Sequence, residues 1–119
     1  MHIHEHITQI VARTRHGAYK RNAKYRGYEF ALTHDQFIDL IQRPCTYCGC
    51  KPNTVSHFRG INGQCRYNGI DRIDNNMGYI IDNCETCCVI CNKAKRVMAK
   101  SDFINWIDTV YNHLHKSTL

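Results

Sequence analysis

The chain of 119 residues has the length of one domain, and a hydrophobic fraction of 43% allows a small core. It contains no run of about 18 apolar residues, and the first ten residues, "MHIHEHITQI", hold no apolar run of signal-peptide length. We therefore expect no membrane partner and an intracellular location. The formal charge of +6 and the pI near 9.0 favour a polyanionic partner, with nucleic acid the first candidate.

The N-terminal segment is predicted to be an amphipathic helix over residues about 3 to 25, ended by Gly27. Apolar residues recur there at helical spacing: Ile3, Ile7, Ile10, Val11 and Ala18. Basic residues cluster in the same segment, with tyrosines between them: Arg13, Arg15, Lys20, Arg21, Lys24 and Arg26. We predict that Lys20, Arg21, Lys24 and Arg26 contact phosphates of a nucleic acid, with a solvated helix face as the alternative.

Three further helices and one hairpin are predicted downstream. "YEFAL" is extended, Thr33 and Gln36 form a capping box for a helix that ends before Pro44, and residues 45–67 read as loop. The stretch "NGIDRIDNNMGYIIDN", residues 68–83, resembles a hairpin with the turn "DNNMG". A third helix runs from about Cys88 to Met98. Ser101 caps the last helix, whose apolar stripe comprises Phe103, Ile104, Ile107, Val110, Tyr111 and Leu114.

The eight cysteines indicate either a disulfide framework or a metal site. Disulfides belong to oxidising compartments, so we expect reduced thiols in a protein without a signal peptide. "CTYC" and "CETCCVIC" suit a structural four-thiolate zinc site. Cys45 and Cys48 supply one half; Cys88 and Cys91 are favoured for the other because Cys88 would start a helix, while Cys84 and Cys87 would lie on the preceding strand. Cys50 and Cys65 remain as buried residues or as ligands of a second metal.

The order "PCTYCG", "NGIDRIDNNMGYIIDN" and "CVICNKAK" resembles the HNH endonuclease family, which is built on a ββα-metal motif. The flanks "RNAKYRGYEFALTHDQF" and "SDFINWIDTVYNHL" resemble small phage- and virus-type members. The resemblance implies an α+β fold, in which a zinc-clamped ββα core is flanked by an N-terminal basic helix, a second helix and a C-terminal amphipathic helix. It implies one domain over 1–119, divided into 1–43, 44–99 and 100–116.

The same resemblance assigns site residues one at a time. Asp71 and Asn92 match the ligands of a catalytic ion, and their oxygen donors suit Mg²⁺ or Mn²⁺. Asn83 matches the asparagine that holds the loop and orients the active site, and Lys95 would face a phosphate. Cys45, Cys48, Cys88 and Cys91 match the structural zinc ligands.

Position 72 departs from the family, because its general base there is a histidine and this chain has Arg72. Arginine is always protonated and cannot accept a proton, but it can clamp a phosphate. Some restriction-type members resemble this chain in carrying Arg there, with a nearby tyrosine as the base. Tyr79 is the candidate here, because a guanidinium and a metal ion beside it favour the phenolate. His34 and His57 are the alternatives.

The function implied is hydrolysis of phosphodiester bonds in double-stranded DNA, with a structural Zn²⁺ and a catalytic Mg²⁺ or Mn²⁺. A monomer with one site would nick, whereas a homodimer could cut both strands. The alternative is a catalytically silent, zinc-stabilised module that binds nucleic acid through its basic helix.

Overall fold

The computed structural model describes residues 3–56 and 65–116; the alternative base His57 lies outside them, as do the side chains of Ile3 and Ile7. Within the described ranges the chain forms four α-helices: α1 (Ile3–Arg26), α2 (His34–Ile41), α3 (Val89–Lys95) and α4 (Lys100–Leu114). The strands are β1 (Thr54–Ser56), β2 (Cys65–Tyr67), β3 (Gly69–Arg72) and β4 (Cys84–Cys87). This arrangement confirms the predicted α+β class.

The first two helices end and begin as their sequence signals predict. Gly27 follows the last turn of α1 with φ +80°, a conformation that glycine adopts without strain. The capping box of α2 is present, since Thr33 Oγ1 accepts from the Gln36 amide at 3.1 Å and Gln36 Oε1 accepts from the Thr33 amide at 3.0 Å. α1 and α2 pack against each other in the folded chain.

The strands form two antiparallel pairs. β1 pairs with β2 within the segment 45–67, so the prediction that this whole segment is loop is wrong. The sequence did not reveal these strands, because three residues are too few to show an alternating pattern. β3 pairs with β4, in register from Gly69↔Cys87 to Arg72↔Cys84. The predicted hairpin is therefore wrong in its second strand, which begins at Cys84 and follows a 3₁₀ turn over Ile81–Asn83.

Tyr79, expected in the returning strand, instead bridges the extended segment around Phe30. The Tyr79 amide donates to Glu29 O at 2.8 Å, and the Ala31 amide donates to Tyr79 O at 2.9 Å. Gly78 makes this approach possible, because a Cβ there would lie 2.4 Å from Glu29 O. The turn is thus tied to the segment between α1 and α2.

The main core joins α1, α2, β3 and β4. Its buried members are Ala12, Ala23, Leu32, Phe37, Leu40, Ile41, Ile70, Tyr79 and Cys84. α4 contributes differently, because Phe103 is its only buried residue and the rest of its predicted stripe is 38–71% exposed. No helix in residues 3–56 and 65–116 has the length and apolarity to cross a bilayer.

Candidate metal centre and active-site cavity

Four cysteine sulfurs, those of Cys45, Cys48, Cys88 and Cys91, lie within 4.8 Å of one another. The Cys48 and Cys88 sulfurs are 3.7 Å apart. Tetrahedral Zn–S bonds of about 2.3 Å place sulfurs about 3.8 Å apart, so this cysteine cluster fits Zn²⁺. The structure brings together the pair favoured from sequence, while Cys84 and Cys87 lie on β4. Burial raises the pKa of the Cys84 thiol to about 12, as expected for an inert core cysteine.

Local backbone geometry presents each half of the cysteine cluster. The Gly49 amide donates to Cys45 O at 2.9 Å, and Gly49 adopts φ +75° to close this turn. Cys88 is the N-cap of α3, and its sulfur accepts from the Cys91 amide at 3.4 Å. Burial disfavours a thiolate at Cys45, but backbone amides donating to its sulfur lower its pKa to about 6. Amides of the turn and of the helix start therefore favour the ligating thiolate form of Cys45.

Asp71 lies on β3 and is 5% exposed. Its Oδ1 accepts from Lys95 Nζ at 3.1 Å and its Oδ2 accepts from the Tyr47 hydroxyl at 3.0 Å. Lys95 is fully buried, and its Nζ also donates to Arg72 O at 3.2 Å. The expectation that Lys95 faces a phosphate is therefore wrong, because its ammonium group is buried and forms an ion pair with Asp71. Burial raises the pKa of Asp71, against the opposing effect of the Lys95 and Tyr47 hydrogen bonds.

The turn after β3 is held by Asn83 and Arg72. Asn83 Nδ2 donates to Asp74 O at 3.0 Å and to Gly78 O at 2.9 Å, and its Oδ1 accepts from the Asp74 amide at 2.9 Å. Arg72 Nη1 donates to Asn75 O and Met77 O, both at 2.9 Å. Asn83 thus sits where the resemblance expects a loop-holding asparagine, and Arg72 has a structural role that the sequence did not reveal.

A cavity of about 420 Å³ opens beside Asp71, between α1, β3 and the end of α3. Five residues predicted for the site line it: Arg26, Asp71, Arg72, Tyr79 and Asn92. Its other polar lining residues were not predicted: Arg15, Tyr19, Asn22, Tyr67, Asn75 and Arg96. Four arginines against one carboxylate, itself paired with Lys95, give the wall a net positive charge. Such a wall suits a phosphate group.

Only one face of α1 reaches this cavity. Arg15, Ala18, Tyr19, Asn22 and Arg26 follow the three- and four-residue spacing of a single helix face. The exposed residues Lys20, Arg21 and Lys24 lie on other faces, and among the described residues they form no part of the cavity wall. The basic cluster of the sequence is thereby divided, and of the four phosphate contacts predicted on α1 only Arg26 lines the cavity.

Two tyrosines surround the Arg72 guanidinium. Its Cζ lies 3.7 Å from the ring centre of Tyr28 and 5.6 Å from that of Tyr79. Hydrogen bonding to Arg72 and its positive charge lower the pKa of Tyr28, which stands outside the cavity lining. Burial raises the pKa of Tyr19, in the cavity wall, to about 12, which disfavours it as a base. Tyr79 is 8% exposed and lines the cavity.

His34, an alternative base, lies elsewhere. Its ring stacks on His16 with centroids 4.0 Å apart, and it borders a separate depression with Gln9, Arg13, Asp35 and Ile38.

Arg96 was not predicted from the sequence, yet it lines the cavity. Its φ of +51° is the only positive value among the described non-glycine residues, and it ends α3 three residues before the predicted limit.

Comparison with known proteins identifies a viral relative and a structural neighbour. No family model matches the chain. It is 42% identical over 96 residues to "Uncharacterized protein R423" of Acanthamoeba polyphaga mimivirus, a match that covers 80% of this chain and 16% of that protein. The chain therefore spans about a sixth of that relative's length. This relative agrees with the expected resemblance to viral proteins.

The structural neighbour is PacI, a rare-cutting HNH restriction endonuclease, with a TM-score of 0.61 at 22% identity. The match covers 87% of this chain and 79% of that one. The chain has the fold of an HNH endonuclease. The HNH resemblance that the sequence suggested is thus confirmed at the level of the fold, together with the four-cysteine cluster that fits a zinc-clamped core.

Proposed function

We propose that this chain is a metal-dependent DNA endonuclease that hydrolyses phosphodiester bonds at the cavity beside Asp71. The observation that carries the proposal is the composition of that cavity wall, which combines the oxygen donors Asp71 and Asn92 with Arg26, Arg72 and Arg96. Oxygen donors suit a hard divalent cation, and guanidinium groups suit a phosphate. The fold shared with PacI, an HNH restriction endonuclease, supports the same chemistry.

Two metals would serve different purposes. The cysteine cluster would hold Zn²⁺ as a structural ion, because four thiolates leave no position for substrate. Asp71 and Asn92 would hold Mg²⁺ or Mn²⁺, which supplies charge stabilisation at the scissile phosphate. The residues present fit this second ion, since each Asp71 oxygen has one hydrogen-bond donor and keeps capacity for another partner.

The remaining cavity residues receive distinct roles. Arg26 and Arg96 are exposed cations at the wall and would bind the DNA backbone, while Arg72 would contact the phosphate and keep the turn in place. Tyr79 would take the proton from the attacking water, since it lines the same cavity as both ion ligands. Asn83 would act indirectly, through the turn that it holds.

Double-stranded DNA is the proposed substrate, and the chain is proposed to act as one domain in a reducing compartment. A monomer carries one such cavity and would nick DNA; a homodimer would cut both strands. The buried Asp71–Lys95 ion pair favours a second candidate, a silent zinc module that binds nucleic acid, because Lys95 already neutralises the carboxylate that would hold the catalytic ion.

Supercoiled plasmid distinguishes the two candidates. Purified protein with Mg²⁺ or Mn²⁺ should convert the plasmid to nicked or linear forms, and excess chelator should stop the conversion. Protein without added Mg²⁺ or Mn²⁺ is the folded control, and zinc analysis with circular dichroism after chelation shows whether the structural zinc is retained. Retarded migration of the plasmid on a gel, without cleavage under either ion, would establish the silent module instead.

A further inference from the structure

Both side chains that donate hydrogen bonds to Asp71 lie on the two segments that carry the cysteine cluster. Tyr47 lies between Cys45 and Cys48, and its hydroxyl donates to Asp71 Oδ2 at 3.0 Å. Lys95 is the last residue of α3, one turn after Cys91, and its Nζ donates to Oδ1 at 3.1 Å. Each of the two cysteine-bearing segments therefore supplies one donor to a different oxygen of the same carboxylate.

Contacts with β4 and α4 fix the position of Tyr47 beside Asp71. The Thr46 amide donates to Thr86 O at 2.9 Å, which ties the turn to β4. The Tyr47 ring meets the buried Phe103 ring edge-on, with centroids 5.0 Å apart. Phe103 is the buried residue of α4, so this contact also explains how that helix is attached. The hydroxyl position is thus set by β4, α4 and the cysteine cluster together.

The two donors differ in what they contribute. Lys95 supplies a buried positive charge, and its loss would leave Asp71 as an unpaired buried carboxylate. Tyr47 is neutral and supplies one oriented hydrogen bond to the other oxygen. With one donor on each oxygen the carboxylate plane cannot rotate freely, so the remaining lone pairs keep a fixed direction. Such an outer contact commonly changes metal affinity or activity by about 10–100-fold.

We propose that Tyr47 is a positioning residue, which orients the Asp71 carboxylate for its divalent cation and links the cysteine cluster to the cavity. This inference rests on the proposed function, because it takes Asp71 as the ligand of that ion. It adds a residue that neither the HNH resemblance nor the cysteine spacing identifies.

Tyr47→Phe removes the hydroxyl and keeps the ring that contacts Phe103, so it tests the proposal without removing the packing. The matched control is Tyr111→Phe on α4, an exposed tyrosine remote from the cavity lining. We expect both variants to retain zinc and wild-type thermal stability to within a few degrees. Tyr47→Phe should bind Mn²⁺ about 10–100-fold more weakly in calorimetry and regain cleavage as Mn²⁺ is raised. Tyr111→Phe should match the wild type.

The outcomes separate this proposal from the proposed function. Unchanged Mn²⁺ binding and cleavage in Tyr47→Phe, with an active wild type, would overturn the positioning role alone. A wild type that neither binds Mn²⁺ at Asp71 nor cuts DNA would overturn both. A double-mutant cycle of Tyr47→Phe with Asp71→Ala, which removes the acceptor, checks the contact itself by denaturant unfolding. The losses should be non-additive, and additive losses would show that Tyr47 does not hold Asp71.

Discussion

The cysteine cluster and the cavity differ in how much of the chain each requires. The cysteine cluster needs two short segments, 45–48 and 88–91, each with its ligands three residues apart. The cavity takes residues from α1, β3, the turn after it and the end of α3, more than eighty positions apart in the chain. Asp71 connects the two regions, because Tyr47 and Lys95 on the cysteine-bearing segments hold its carboxylate and Asp71 also lines the cavity. Local spacing therefore encodes the metal centre, whereas tertiary packing creates the site beside it.

The largest expected effect lies in the cysteine cluster. Cys88→Ser should lose zinc and unfold, because structural zinc contributes on the order of 10 kcal/mol of folding free energy in small zinc domains. Serine is itself a good N-cap, so the start of α3 is preserved and the loss reports the metal. Circular dichroism and zinc analysis would measure both properties.

Cys84→Ser is the matched control for this prediction. Cys84 and Cys88 are both buried and four residues apart, but only Cys88 belongs to the cysteine cluster. Cys84→Ser should stay folded with full zinc and lose a small part of its stability. If Cys84→Ser unfolds and Cys88→Ser does not, the assignment of the ligand pair is wrong.

The second prediction concerns Asp71, where the two regions meet. Asp71→Ala should abolish cleavage and also destabilise the fold by about 3–5 kcal/mol, because it leaves the buried Lys95 charge unpaired. Adding Lys95→Met removes that charge and should recover most of the stability without recovering cleavage. Denaturant unfolding and plasmid cleavage of the two variants give the comparison. A stable, inactive Asp71→Ala would show that Lys95 is solvated and that the ion pair is not buried in solution.

The third prediction tests the base within the cavity. Tyr79→Phe should lower the cleavage rate by about 10²–10⁴-fold, as is typical for loss of a proton-transfer group, and leave DNA binding unchanged. Tyr28→Phe and His34→Ala are the controls, since neither residue lines the cavity. A large loss in Tyr28→Phe instead would assign the role to the tyrosine that contacts Arg72 most closely.

The difference between the two regions also explains what sequence could predict. Residue spacing predicts the capping box at Thr33 and the two halves of the zinc site, and the helix start expected at Cys88 selects Cys88 and Cys91 as ligands. Asp71 and Asn92 could be named only through the HNH resemblance. Arg96 carries no sequence signal, because nothing in the order of residues shows that α3 ends beside the cavity.

Two failures show the same limit. Lys95 looks like a surface lysine one turn beyond a ligand, yet its partner lies 24 positions away on β3. The apolar stripe of α4 has the spacing of a buried face, but Phe103 is the only residue of that helix that is buried. Periodicity identifies which side chains share a face, and the packing of distant segments decides whether that face is covered.

The fourth prediction compares the cations of the cavity wall with those on another face of α1. Replacing Arg26 and Arg96 with Gln should weaken DNA binding and reduce the slope of log K against log salt by about 2, because each phosphate contact contributes about 0.9. Replacing Lys20 and Lys24 with Gln changes the net charge equally on a face away from the cavity, and should change the slope less. Fluorescence anisotropy across a salt series measures both slopes. Equal losses would mean that the DNA surface extends around α1.

The smallest expected effect is at Arg96, where side chain and backbone can be separated. Its φ of +51° favours glycine, and a non-glycine residue there costs about 1–2 kcal/mol. The next residues fix this conformation, since the Met98 amide donates to Lys95 O at 3.0 Å and Asn75 Nδ2 donates to Val97 O. Arg96→Gly should therefore be more stable than the wild type by about that amount, while Arg96→Ala should not.

The two variants lose the same guanidinium, so their DNA affinities should fall equally. A stabilised Arg96→Gly with weakened binding would mean that the cavity keeps a strained residue for its charge. Wild-type affinity in both variants would remove Arg96 from the phosphate-binding wall, and Arg26 and Arg72 would remain as its cations.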